Sequence, residues 1–159
     1  MTFLKQFLLT LLIAVFAIFI GSQITEGVLL VPYWQSLSAS DFYAYYSKFG
    51  PSIGSFYTFL TIIAALIPIV FSFYLKIIKS IAFKYSLISS VFAILFVSSF
   101  YVYFKETNEL FYMASFNNVE LKKELIVWSY WHWSRVFLEI ISLIFLIISL
   151  IKTPILKKK

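Results

Sequence analysis

A chain of 159 residues that is 62% hydrophobic and 21% aromatic, with 13% charged residues and a mean hydropathy of +0.93, has too few polar side chains to cover a water-facing surface. A soluble domain is excluded, and a single transmembrane domain over residues 1–159 is expected. The lack of cysteine excludes disulfides, thiol redox chemistry and thiolate metal sites, and the net charge of +6 is placed along the chain as a topological signal, not as a nucleic-acid footprint.

Crossing about 30 Å of hydrocarbon takes about 20 apolar residues. Lipid offers no partner to an unpaired backbone group, so each such run is predicted to be helical. The first run covers about residues 4–31, and its apolar character continues through GVLLVP. With no clean small-x-small cleavage site, it reads as a retained helix and not as a signal peptide. Thr10, Ala14, Ala17 and Gly21 form a small-residue stripe on it, suited to close approach by a neighbouring helix. The stretch SLSASDFYAYYSKF then alternates aromatic and polar residues, which predicts a short interfacial helix capped by Ser38 or Ser40.

The second run covers about residues 53–75, with Pro51 opening it, Pro68 expected to kink it, and Gly50 and Gly54 in a GxxxG spacing. The third covers about residues 81–104 and carries Ser86, Ser89, Ser90 and Ala93 as a small face. The connection after it ends in NNVELKKEL, which predicts a helix capped by Asn118 with Glu120 in its first turn. The fourth helix then begins near Val119, and its apolar part covers about residues 126–151. The expected fold class is all-α, an antiparallel four-helix membrane bundle.

Charge predicts the orientation. Lys5 at the start, Lys76, Lys79 and Lys84 between the second and third runs, and Lys152, Lys157, Lys158 and Lys159 at the end lie in segments without acids. Asp41 and Lys48, and then Lys105, Glu106, Glu109, Glu120, Lys122, Lys123 and Glu124, make the other two connections mixed. The positive-inside rule puts both termini in the cytoplasm, with the basic segments also drawn to anionic lipid. In a bacterium this is an inner-membrane protein.

The stretch WSYWHWSR, Trp128 to Arg135, holds the only histidine, His132, the only arginine, Arg135, and three of the four tryptophans. Trp128, His132, Arg135 and Glu139 are spaced 4, 3 and 4, which puts them on one helix face, and Ser142 continues it. Ionisable groups at such depth cost at least about 2.5–3.5 kcal/mol each on insertion scales, so they must face the interior and find partners. Glu26, with Gln23 and Thr25 beside it, lies at a similar depth on the first helix and is expected to approach His132 or Arg135. Trp131 and Trp133 also fit an aromatic belt at the membrane boundary.

The same residues carry a resemblance. Trp128, His132 and Arg135 in a W-x3-H-x2-R pattern, Asn108 in KETNELF after the third run, and GSQITEGVLLVP closing the first run are similar to the DUF1772 family of four-helix membrane proteins, which includes fungal anthrone oxygenases. The proline expected just before the Asn is absent, and Glu26 and Glu139 lie outside the pattern. The resemblance implies oxidation of an aromatic ketone by dioxygen with no cofactor. In that chemistry His132 is the expected base, Arg135 the enolate-stabilising cation and Glu139 its anchor, while Trp128, Trp131, Asn108 and Glu26 line the ligand.

Three other readings stay open. His132, Glu26 and Glu139 could form a metal set, although a single histidine rules out a two-histidine triad. The polar face could instead dock a lipid headgroup or a membrane partner in a non-enzymatic accessory subunit or a homo-oligomer. Proton transfer along the His132–Arg135–Glu139 row is the third. The expected partners are the bilayer and a small hydrophobic ligand, with no nucleic acid.

Overall fold

The structure, a computed structural model, describes residues 3–153, and side chains from Phe7 onward apart from Leu8. The topological roles assigned to the Lys5 side chain and to Lys157, Lys158 and Lys159 lie outside the described residues. Helix α1 (Phe3–Thr25) continues through a π-helical turn (Glu26–Leu30) into α2 (Val31–Ser36). Helix α3 spans Ala39–Ile77, and α4 spans Phe83–Ser99. A second π-helical turn (Phe100–Phe104) joins α4 to α5 (Lys105–Tyr112), and α6 spans Asn118–Lys152. Among the described residues there is no strand, and four continuous rods are long and apolar enough to cross a membrane.

The rods form a four-helix bundle in which α4 packs along both α3 and α6, and α1 packs against α6 and α3. Small residues make the tightest seams, as expected on α4. Ser89 Oγ donates to the Ser142 carbonyl at 2.7 Å, and Ser142 Oγ donates to the Ser89 carbonyl at 2.9 Å. Ser72 Oγ donates to Ser86 Oγ at 2.8 Å, and Ser86 Oγ to the Pro68 carbonyl at 3.3 Å. These bonds satisfy hydroxyls that lipid could not.

Several expectations are corrected. The residues read as a separate interfacial helix are the first turns of α3, which runs unbroken from its Ser38 N-cap. Pro51 does not open that helix but lies inside it. Pro51 and Ser47, whose carbonyl the ring leaves without a partner, both lie on the exposed side, where other groups can meet that carbonyl. The inner face is carried on by Phe42, Tyr46 and Gly50.

The cap of α6 is Asn117, not Asn118. The Asn117 side chain accepts from the Val119 and Glu120 backbone, while Glu120 accepts from Asn117 N in a capping box. Asn118 instead accepts from Ala39 N at 2.6 Å, tying the starts of α3 and α6 together.

The stripe on α1 also faces the other way, since Thr10, Ala14, Ala17 and Gly21 are all exposed. Gly50 and Gly54 part company as well. Gly50 meets the Tyr112 ring, and a side chain at Gly54 would meet nothing.

Two apolar cores result. The larger holds Phe16, Phe19, Phe71, Leu75, Phe96 and Leu146. The smaller, at the end where α3 and α6 begin, holds Trp34, Phe42, Tyr46, Phe104, Phe111 and Trp128. On the first rod Gln23 and Glu26 fall between residues of the two cores, as do His132, Arg135 and Glu139 on α6. The polar layer is thus sandwiched between greasy ones.

Candidate functional site

α6 contains 35 residues, about 52 Å at 1.5 Å per residue, so it projects well beyond about 30 Å of hydrocarbon. Counting about 30 Å back from Lys152 reaches His132. The imidazole therefore sits near one hydrocarbon boundary, and Arg135 and Glu139 lie about 5–10 Å deeper. Helical periodicity turns all three inward. His132 and Glu139 are fully buried, and the Arg135 side chain is 13% exposed.

The first rod brings Gln23, on α1, and Glu26, in the π-helical turn, to the same layer. The Gln23 carbonyl lies 2.9 Å from His132 Nε2. A carbonyl only accepts, so Nε2 carries the hydrogen and donates to it. His132 Nδ1 is then the acceptor, and Arg135 Nη2 donates to it at 3.2 Å. The same Nη2 donates to Gln23 Oε1 at 2.5 Å. Glu26 Oε2 lies 3.6 Å from Nη2 and 3.7 Å from His132 Nδ1. On the other side Arg135 Nε faces Glu139 Oε1 at 3.8 Å. One guanidinium thus faces two carboxyl groups, and the cluster holds one acid more than it has cations.

The two π-helical turns shape this layer. In the first, Val31 N–H donates to the Glu26 carbonyl, five residues back. Pro32 lacks an N–H and follows at once, so a widened turn is a natural place to absorb the lost bond. The turn presents Glu26 and brings Gly27 against the imidazole. An added Cβ at Gly27 would lie 3.0 Å from His132 Nε2 and 2.7 Å from Trp133 Cζ2. Here glycine serves close approach, since no glycine in the chain has a positive φ.

The second π-helical turn ends at Phe104, whose ring lies under the Arg135 guanidinium, 4.6 Å from centroid to Cζ. Aromatic rings complete the walls. Trp128 stacks on His132 at 5.2 Å and 11°, and its Nε1 donates to Asn108 Oδ1 at 3.3 Å. Trp34 and Phe104 each meet Trp128 edge-on.

The structure therefore brings Glu26, Trp128, His132, Arg135 and Glu139 together, with Asn108 one contact away. Trp131 stands apart. Its face is taken by Tyr103, stacked at 5.1 Å, and Tyr103 donates to Glu124. Trp133 is 40% exposed, in keeping with a belt residue, although its ring edge reaches His132. Sequence reading missed Gly27 and Phe104 and gave Gln23 only a neighbour's place. The metal reading loses its ligand set: His132 Nδ1 is engaged by Arg135, and no group of three or more His, Cys, Asp or Glu among the described residues could hold an ion.

Among the described residues, six buried side-chain atoms have no hydrogen-bond partner. Five belong to this layer: Gln23 Nε2, Glu26 Oε2, Arg135 Nε and both oxygens of Glu139. The sixth, Trp34 Nε1, belongs to the aromatic wall. An orphaned buried polar group costs about 1–3 kcal/mol, and native interiors hold few of them. Of the five, Glu26 Oε2 lies in an ion pair with Arg135 at 3.6 Å, and Arg135 Nε and Glu139 Oε1 face each other at 3.8 Å, while Gln23 Nε2 and the second Glu139 oxygen have no hydrogen bond.

Fold and composition together define an integral membrane protein, a four-helix bundle with a buried charged layer near one face. No family model, curated protein or solved structure matches the chain.

Proposed function

We propose that the charged layer binds a small hydrophobic aromatic ketone that enters from the lipid, and that the chain is a cofactor-independent oxygenase of the DUF1772, anthrone oxygenase-like type. The observation that carries this reading is the set of donors and acceptors without hydrogen bonds in one buried layer, beside stacked aromatic rings. The donors Arg135 Nε and Gln23 Nε2 suit a carbonyl oxygen, and the carboxylate oxygens suit an acidic hydrogen.

The base in this reading is Glu26. His132 Nδ1 already accepts from Arg135, so the imidazole orients the guanidinium, while Glu26 Oε2 has no hydrogen bond. Glu26 removes a proton from the ring methylene conjugated with the carbonyl, and Arg135 stabilises the enolate oxygen in a dry site. Dioxygen adds at that carbon and takes up a proton to give a hydroperoxide, which loses water to leave a second carbonyl. The balance is one CH2 and one O2 giving one C=O and one H2O.

The test is aerobic turnover of anthrone by the detergent-purified chain, followed as oxygen uptake and quinone absorbance. Wild type is expected to exceed the spontaneous rate, and Glu26→Gln to lose about 100-fold, at the lower end for a positioned base. Wild-type turnover no faster than buffer would remove the oxygenase reading.

The same proposal includes an antiparallel arrangement with both termini cytoplasmic. Its support is Lys76, Lys79 and Lys84 in and beside the connection from the second rod to the third, and Lys152 in the last turn of α6, with the acids of the connections at the other end. The chain has no cysteine, so single cysteines report cleanly. Ser115→Cys in intact cells should react with an impermeant maleimide and Lys79→Cys should not. The reverse pattern would invert the topology.

A further inference from the structure

An open-sided groove of about 240 Å³ runs between α3 and α4, at the end of the bundle away from the charged layer. Its α3 wall includes Ile69, Ser72 and Lys76, and its α4 wall includes Phe83, Leu87 and Ile94. These positions recur every three, four or seven residues, so each wall is one helix face.

The polar floor offers nothing to a ligand. Ser72 donates to Ser86, Ser86 to the Pro68 carbonyl, and Ser90 Oγ to the Ser86 carbonyl at 2.9 Å. The walls are otherwise apolar, and Lys76 stands at the end near the α3–α4 connection.

Length and charge select the occupant. From Phe83 to Ile94 the groove runs about 16 Å along α4, close to the roughly 15 Å of one leaflet's hydrocarbon. It starts at the membrane boundary and ends near the midplane, as one acyl chain does. At the boundary Lys76, Lys79 and Lys84 cluster, and no acid occurs in the sequence between Asp41 and Glu106. No described carboxylate forms an ion pair with any of the three.

We propose that this groove is a binding site for one anionic phospholipid, with an acyl chain between α3 and α4 and the phosphate on Lys76. The site is independent of the chemistry proposed for the charged layer.

Native mass spectrometry of the full chain, released from detergent with equal phosphatidylglycerol and phosphatidylcholine of identical acyl chains, tests it. Wild type should retain one phosphatidylglycerol with about fivefold preference, the effect of one lysine at a membrane surface. Lys76→Gln should abolish the preference, and Leu87→Trp, which fills the exposed wall of the groove, should reduce retention of both lipids. Equal retention of the two lipids by wild type overturns the proposal. So does a preference that survives Lys76→Gln, since diffuse loop charge would then suffice. Displacement of the lipid by free glycerol phosphate would mark a soluble-phosphate site and also overturn it.

Discussion

Replacing Arg135 with Gln is expected to destabilise the bundle by about 3–5 kcal/mol, the cost of removing one partner from a buried charge cluster. Arg135 is the single cation among Gln23, Glu26, His132 and Glu139. Its Nη2 serves Gln23 Oε1 and His132 Nδ1, and lies 3.6 Å from Glu26 Oε2. Its Nε faces Glu139, and its plane rests on Phe104. Glutamine is too short for that fork and uncharged, so both carboxyl groups would lie in a low-dielectric layer without a cation. Adding Glu139→Gln should recover much of the loss, because it removes one of the stranded acids. Arg135→Lys should not, because one ammonium cannot occupy the Nη2 and Nε positions together. Unfolding in mixed micelles, read by tryptophan fluorescence, measures all three. A loss under about 1 kcal/mol, as for an exposed pair, would mean that the layer does not depend on its cation.

The part of this site that follows helical periodicity was legible in the sequence. Trp128, His132, Arg135 and Glu139 share a face by spacing alone, and the cost of burying them points that face inward. Glu26 could be matched in depth by counting residues from the boundary. The all-helical class and the four apolar spans follow from composition and run length, and the described residues agree.

The small stripe on α1 misled because lipid gives apolar residues no preference for inside or outside. Gln23 and Glu26 decide the matter. Gly21 lies two residues from Gln23, about 200° around the helix, so burying the glutamine turns the glycine to the lipid.

The π-helical turns were less visible. Pro32 is a signal for the first, but nothing in FYVYF marks the second, whose shift brings Phe104 beneath Arg135. The unbroken α3 was hidden by Pro51, which reads as a boundary until its exposed position is known. Gly27 has no local signature, since its role depends on rings more than 100 residues away in the chain.

The ring pair at the edge of the layer supplies the last prediction. Trp128 holds His132 by stacking, is itself gripped edge-on by Trp34 and Phe104, and donates to Asn108. Trp128→Ala should cost about 3–5 kcal/mol, the range for deleting a large buried aromatic side chain. It also removes the ring's donor to Asn108 and one wall of the imidazole. Gly27→Ala acts on the same imidazole. Its methyl group would press on Trp133 and on the His132 nitrogen that donates to Gln23, for about 1–3 kcal/mol of overpacking. Both changes free the ring from a geometry in which only Nε2 carries hydrogen. Nitrogen NMR of the single histidine should show the Nε2–H tautomer in wild type and a mixture of tautomers in each variant. A wild-type ring already in mixed tautomers would contradict the hydrogen bond to the Gln23 carbonyl. Variants with the wild-type spectrum and stability would show that Trp128 and Gly27 do not hold His132.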